Sequence, residues 1–154
     1  MSKKEYKTFD FELSLPYSLA YGPTWTRFFE GLQEEKIFGT KCNQCERVLV
    51  PARSFCPQCY VDIDEWVQVA SEGKVVTWAL IAFEFYNQPK KPPYIAGMIQ
   101  LDGAHVSLFH LIDGIDMSDV DKVKETLKVG TRVKAVWNEE KTGHILDIKY
   151  FQPV

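Results

Sequence analysis

Every cysteine in the chain falls between residues 42 and 59: Cys42, Cys45, Cys56 and Cys59 form two Cys-x2-Cys pairs with residues 46 to 55 between them. A Cys-x2-Cys turn aims two thiolates at one point, and a short hairpin that folds back between two such turns completes a tetrahedron. Soft thiolates in closed four-coordination suit Zn2+ or iron. Four cysteines could instead make two disulfides. However, the sequence opens Met-Ser-Lys-Lys-Glu-Tyr-Lys-Thr, without the apolar stretch of a secretory signal, and the spacing matches a metal site better. We therefore expect a metal ion held by these four residues, with zinc favoured over iron because four-thiolate structural zinc is common.

Such a site is structural rather than catalytic. Four protein ligands leave no open position at which a metal could bind and acidify water. With all four thiols on the metal, no cysteine remains as a nucleophile for acyl transfer. The histidines do not replace it. His105 and His110 fall on opposite faces of one predicted strand, because an odd separation reverses the side in a period of two. His144 follows Gly143 near a predicted hairpin turn. No serine, histidine and acid grouping emerges from the spacing, so no catalytic residue is expected.

The elements that must position the cysteines follow from periodicity. Phe9, Phe11, Leu13 and Leu15 alternate with Asp10, Glu12 and Ser14, the pattern of a strand or of an extended arm laid on a partner. After Pro23 and Thr24, residues Trp25, Phe28, Phe29 and Leu32 fall at i, i+3, i+4 and i+7, which predicts a helix over 23–36. This aromatic stripe suits packing on the protein's own core or docking onto a partner. Ile37 to Lys41 and Arg47 to Pro51 read as the arms of the metal ribbon. Strand-like runs follow at 66–70, 74–85, 94–101 and 104–111, with turn signals at Ser71-Glu72-Gly73 and Asp102-Gly103. Ser118 and Asp121 read as a capping box for a short helix that ends before Gly130. Two last runs, 131–137 and 144–151, are joined by a hairpin loop. The fold expected is mainly β: an N-terminal arm and helix (1–38), a metal ribbon (39–65) and a five-stranded antiparallel barrel of the OB type with one short helix (66–154).

Composition narrows the function classes. A hydrophobic share of 45% with 25% charged residues belongs to a globular chain. The longest apolar runs, such as Trp78 to Phe83, fall far short of the roughly 20 residues that span a bilayer. A cytoplasmic protein without a membrane role is expected. Zinc ribbons and OB barrels both serve nucleic acids, which makes a single-stranded nucleic-acid module the alternative function. Against it, the net charge is −3, and basic residues from Lys122 to Lys149 alternate with Asp and Glu instead of forming a stripe. Rubredoxin-like electron transfer on iron is a third reading, separable by metal analysis.

Phe28-Phe29-Glu30-Gly31-Leu32, the two cysteine pairs, Val50-Pro51-Ala52-Arg53-x-Phe55-Cys56-Pro57-x-Cys59, Gly73-Lys74-Val75-Val76-Thr77-Trp78, Pro93-Tyr94-Ile95-Ala96 and Val129-Gly130-Thr131-Arg132-Val133 together resemble one family. That family pairs a rubredoxin-like zinc ribbon with an OB fold and has long been labelled a domain of unknown function. The resemblance covers about residues 23 to 152. It implies an accessory subunit of an acyl-CoA enzyme, above all of a thiolase-type partner, contributing to a shared CoA or acyl-CoA site. A thiolase acting on benzoylsuccinyl-CoA in anaerobic toluene degradation has a small subunit of this kind. The motifs themselves do not identify the acyl group. For CoA, the proline-stiffened stretch Asn87 to Tyr94 offers Lys90 and Lys91 to phosphates, with nearby Tyr86 and Tyr94 as flat surfaces. A solvated loop is the plainer use of that stretch. Arg47 and Arg53 in the ribbon are second candidates, equally suited to solvent or a partner. Trp25, Phe28, Phe29 and Leu32 are the candidate partner contacts.

Overall fold

The computed structural model describes residues 6–86 and 88–154. Met1 to Glu5, read above for a leader, and Asn87 of the lysine loop lie outside the described residues. Helix α1 (Gly22–Gln33) opens with a proline in its first turn. It closes with Glu35 at φ 60° while the N–H groups of Glu34 and Lys36 return to the Gly31 carbonyl. Then follow β1 (Ile37–Lys41), β2 (Val48–Leu49), β3 (Glu65–Val69), β4 (Glu72–Ile81), β5 (Tyr94–Leu101), β6 (Leu108–Ile112), α2 (Val120–Thr126), β7 (Arg132–Trp137) and β8 (Ile148–Pro153).

Two sheets result. A three-stranded sheet runs β2-β1-β3, and a closed barrel runs β4-β5-β6-β8-β7. The barrel order, with α2 between its third and fourth strands, is that of an OB-type barrel. Its contacts are antiparallel except for a short parallel pairing of β6 with β8 at Ile112 and Phe151. Closure depends on Gly73, which pairs with Leu101 on β5 and with Val133 on β7. A Cβ there would lie 2.3 Å from the Gln100 carbonyl oxygen, so β4 can be gripped from both sides only if this residue has no side chain.

Several sequence expectations shift. Residues 65–69 pair along the whole of β1 rather than joining the barrel, so the sheet division falls after Val69. Their alternation fits either sheet, and pairing is a tertiary choice. The strand expected over 104–111 begins only at Leu108, leaving His105 in the preceding loop, because Ala104 turns back onto Leu101. The cap of α2 is Asp119, whose side chain accepts from the Asp121 N–H, rather than Ser118. The final strand starts at Ile148 after a short 3-10 turn over Ile145–Asp147.

One core joins helix, ribbon sheet and barrel: Phe28 and Leu32 of α1 pack with Ile37, Val48, Val50, Val69, Ile95, Ile99 and Phe151. Burying a side chain such as Leu32 stabilises by about 1.5 to 3 kcal/mol. A second, small cluster of Leu49 and Ile63 surrounds the buried Cys42 and Cys56. Residues 6–20 adopt neither helix nor strand and lie exposed. No helix among the described residues is long and apolar enough to cross a membrane.

Candidate metal centre and neighbouring surfaces

The two cysteine turns are built alike. Each closes a minimal hairpin, the first over the β1–β2 pairing Lys41↔Val48 and the second over an isolated bridge Phe55↔Asp62. In the first, the Glu46 N–H returns to the Cys42 carbonyl at 3.0 Å and the Cys42 N–H to the Arg47 carbonyl at 2.9 Å. In the second, the Tyr60 N–H returns to the Cys56 carbonyl and the Cys56 N–H to the Val61 carbonyl, both at 2.8 Å. Glu46 (φ 60°) and Tyr60 (φ 57°), immediately after the second cysteine of each pair, take the left-handed conformation that turns the chain back. Thr40, fully buried, clamps the hairpins together: its hydroxyl donates to the Arg53 carbonyl at 2.8 Å and accepts from the Arg53 N–H at 2.9 Å.

All four Sγ atoms lie within 4.8 Å of one another, and those of Cys45 and Cys56 are 3.7 Å apart. A tetrahedral Zn–S bond of about 2.3 Å requires sulfurs roughly 3.8 Å apart, so the donor set fits a four-thiolate ion. The electrostatics agree. Burial raises the Cys56 thiol pKa, but the N–H groups of Cys59 and Gln58 and the thiols of Cys42 and Cys45 outweigh it and bring it down to about 7. Hydrogen bonding with Cys45, followed by burial, pushes Cys59 up to about 12. Four sulfurs this close cannot all ionise unless a cation lies between them. The Gln44 N–H at 3.4 Å from Cys42 Sγ adds a donor to the shell.

The remaining candidate residues separate. Phe28 and Leu32 are buried in the protein's own core, while Trp25 is 46% exposed. Phe29 stacks on His144 with centroids 6.3 Å apart, fastening α1 to the β7–β8 connection. Arg53 and Trp25 line one open groove of about 650 Å3, together with Tyr21, Pro23, Pro51 and Phe55. Arg47 is exposed on the first cysteine turn. Lys90 is held by Asp113 at 2.5 Å, whereas Lys91 has no carboxylate partner among the described residues. Tyr86 is exposed at the tip of the β4–β5 loop, on one side of an open hollow bordered also by Phe11 and Leu13 of the arm, all three largely in solvent. Tyr94 is a correction. It pairs with Ile81 inside the barrel wall and is only 7% exposed, so its ring offers no face to adenine. Of the ligand candidates, only Arg53 lines the groove shared with Trp25.

Two features carried no sequence signal. His105 and Val48, 57 positions apart, exchange hydrogen bonds: the Val48 N–H donates to His105 Nδ1 at 3.1 Å and the His105 N–H to the Val48 carbonyl at 2.9 Å. Asp147, 3% exposed, accepts from the N–H groups of Thr142, Gly143 and His144 and so fixes the loop that carries Phe29's stacking partner. His110 is buried, with Nε2 against the Ile145 carbonyl and Nδ1 without a partner, and burial lowers its pKa.

Comparison with known proteins agrees with this geometry. Residues 29–65 match the family described as the ChsH2 rubredoxin-like zinc ribbon domain, and residues 66–138 match the ChsH2 C-terminal OB-fold domain. A DUF35 domain-containing scaffold protein of Pyrococcus furiosus is 27% identical over 135 residues, covering 84% of this chain and 92% of that one. One from Methanocaldococcus jannaschii is 27% identical over 107 residues, covering 68% and 70%. A solved DUF35-family structure of unknown function from Sulfolobus solfataricus superposes with a TM-score of 0.58 at 28% identity, over 75% of this chain and 78% of that one. The Ltp2-ChsH2(DUF35) aldolase superposes with a TM-score of 0.60 at 20% identity, over 82% and 91%, a likeness of fold alone.

Proposed function

The chain belongs to the DUF35 family, which joins a rubredoxin-like zinc ribbon to a C-terminal OB fold, and we propose that it is a non-catalytic, zinc-containing accessory subunit that binds a thiolase-type enzyme and helps form its acyl-CoA site. The observation that carries this reading is the convergence of every thiol in the chain on one closed site. Such a site leaves neither an acyl-accepting thiolate nor an open metal position. A chain so built contributes surface rather than chemistry, and the scaffold name of its relatives supports that role.

In this reading the ion is zinc. It holds the two cysteine turns together and fixes the wall of the groove that Arg53 and Trp25 share. In this reading Arg53, whose backbone is fastened to Thr40 and whose side chain lines the groove, meets a phosphate of CoA. Lys91 and Tyr86 would approach the same ligand only across a partner surface. Thiolysis of benzoylsuccinyl-CoA in the cytoplasm is the specific reaction we favour. The net charge of −3 weighs against the nucleic-acid alternative.

The test is co-expression with a thiolase-type protein from the same organism, followed by size exclusion, metal analysis and thiolysis assays. Co-elution, one zinc per chain and thiolysis that requires both chains are expected. Separate elution with full activity of the partner alone would overturn the proposal, and stoichiometric iron would overturn the zinc assignment.

A further inference from the structure

The arm that precedes α1 has a stricter pattern than its first residues reveal. Phe9, Phe11, Leu13, Leu15, Tyr17, Leu19 and Tyr21 occupy seven consecutive odd positions. The even positions are Asp10, Glu12, Ser14, Pro16, Ser18 and Ala20. Every one of the odd side chains is solvent-exposed, from 44% at Tyr21 to 86% at Phe9. Residues 6–20 make no backbone hydrogen bond among the described residues.

A period of two commits the segment to an extended backbone, since only there do alternate side chains share a face. An extended chain whose apolar face leaves water must also find partners for its N–H and C=O groups, or the burial is cancelled by unsatisfied polar atoms. A lipid surface or a helical groove cannot supply them, but a strand edge can. This chain offers no adequate edge. Its barrel is closed, and the outer strands of the ribbon sheet, β2 and β3, are 2 and 5 residues long. Residues 9–19 would extend over about 35 Å.

Building on the accessory-subunit reading, we infer that residues 9–19 form a β-strand added to a long free sheet edge of the partner protein, with the odd-numbered side chains on an apolar strip of that protein, while Tyr21 takes the N-cap position of α1 and packs on Phe29. The occupant is therefore a different protein and not a second copy. Pro16 fixes the register. Lacking an N–H, it is tolerated on an added edge strand only where that position faces away from the ladder. Even-numbered backbone groups thus point outward, and odd-numbered ones pair with the partner's edge. Asp10 and Glu12, on the opposite face from the apolar strip, call for basic residues on the partner's rim. The arm's end runs directly into the groove lined by Leu19, Tyr21 and Trp25, so the strand and the groove form one continuous surface.

The test uses the full-length, isotopically labelled chain in complex with the thiolase-type partner, reading amide exchange by NMR. The amides of Phe11, Leu13, Leu15, Tyr17 and Leu19 should slow at least about tenfold relative to the free chain, while those of Asp10, Glu12, Ser14 and Ser18 stay fast. Leu13→Ser with Leu15→Ser should weaken binding about a hundredfold, and Glu12→Ala with Ser14→Ala by no more than about threefold. Both variants lie outside the core, and metal content with the melting profile verifies their fold. A complex whose arm amides are unprotected, or protected without the odd-even alternation, overturns the inference. So does a complex that forms equally well after deletion of residues 2–20, while leaving the accessory role standing. Failure of the full-length chain to bind at all overturns both.

Discussion

Residues 6–21 and residues 22–33 are neighbours in sequence and alike in composition, both rich in aromatic and branched apolar side chains, yet they have opposite fates. The helix buries Phe28 and Leu32 in the common core, while the arm leaves its apolar side chains in water. The difference lies in period rather than hydrophobicity. A helical stripe satisfies its own backbone and needs only a groove, which the β1 sheet and the barrel provide. An extended stripe needs a strand edge as well, and the closed barrel has used its own. Within one short stretch, the same kinds of side chain thus serve folding in one register and wait for a partner in the other.

Several experiments break or sharpen this contrast. The largest effect should come from the metal that holds the ribbon against which α1 packs. Stripping it with a strong chelator, or Cys42→Ser, should remove a contribution on the order of 10 kcal/mol by analogy with zinc-finger peptides. Metal analysis should fall to zero, and amide exchange across 42–63 should accelerate while β4 to β8 keep their protection. If 42–63 stayed protected, the ribbon would stand without metal.

Next, Phe28→Ala should destabilise the free chain by about 3 to 5 kcal/mol in urea unfolding, through the cavity it leaves. An effect under about 1 kcal/mol would mean that the stripe is not core.

A smaller and pH-dependent effect is expected at His110. Burial holds its folded pKa below the usual value of about 6.5, so the unfolded chain binds more protons between the two. Its contribution to stability is therefore complete above pH 6.5 and declines as pH falls towards the folded pKa, by at most about 1.4 kcal/mol per pH unit. Relative to the wild type, His110→Phe should flatten the stability profile below pH 6.5; parallel profiles would refute the assignment.

Smallest of all should be Leu13→Ser in the free chain, within about 0.5 kcal/mol of the wild type, because its side chain contributes nothing to the core. A clear loss of stability would show that the arm already packs on its own fold.

What the sequence disclosed depended on distance along the chain. The cysteine turns, the helical stripe of α1 and the strand at Tyr94–Leu101 rest on patterns a few residues long, and the structure places them where those patterns predict. The arm's full alternation to Tyr21 was equally local, and its strictness beyond Leu15 was the missed signal. The allegiance of β3 to β1, the burial of Tyr94 and the bond between Val48 and His105 are pairings across 13 to 57 positions. No periodicity records those, since either face of a short strand can be turned inward by what it happens to meet.

The exchange of hydrogen bonds between Val48 and His105 has a mechanical consequence. One bond would act as a pivot about which the ribbon could swing, whereas two antiparallel bonds to the same residue resist rotation as well as separation. The cysteine end and the barrel end then keep a fixed mutual orientation, like the two jaws of a gauge. Anything seated on both would have its own geometry checked against that setting.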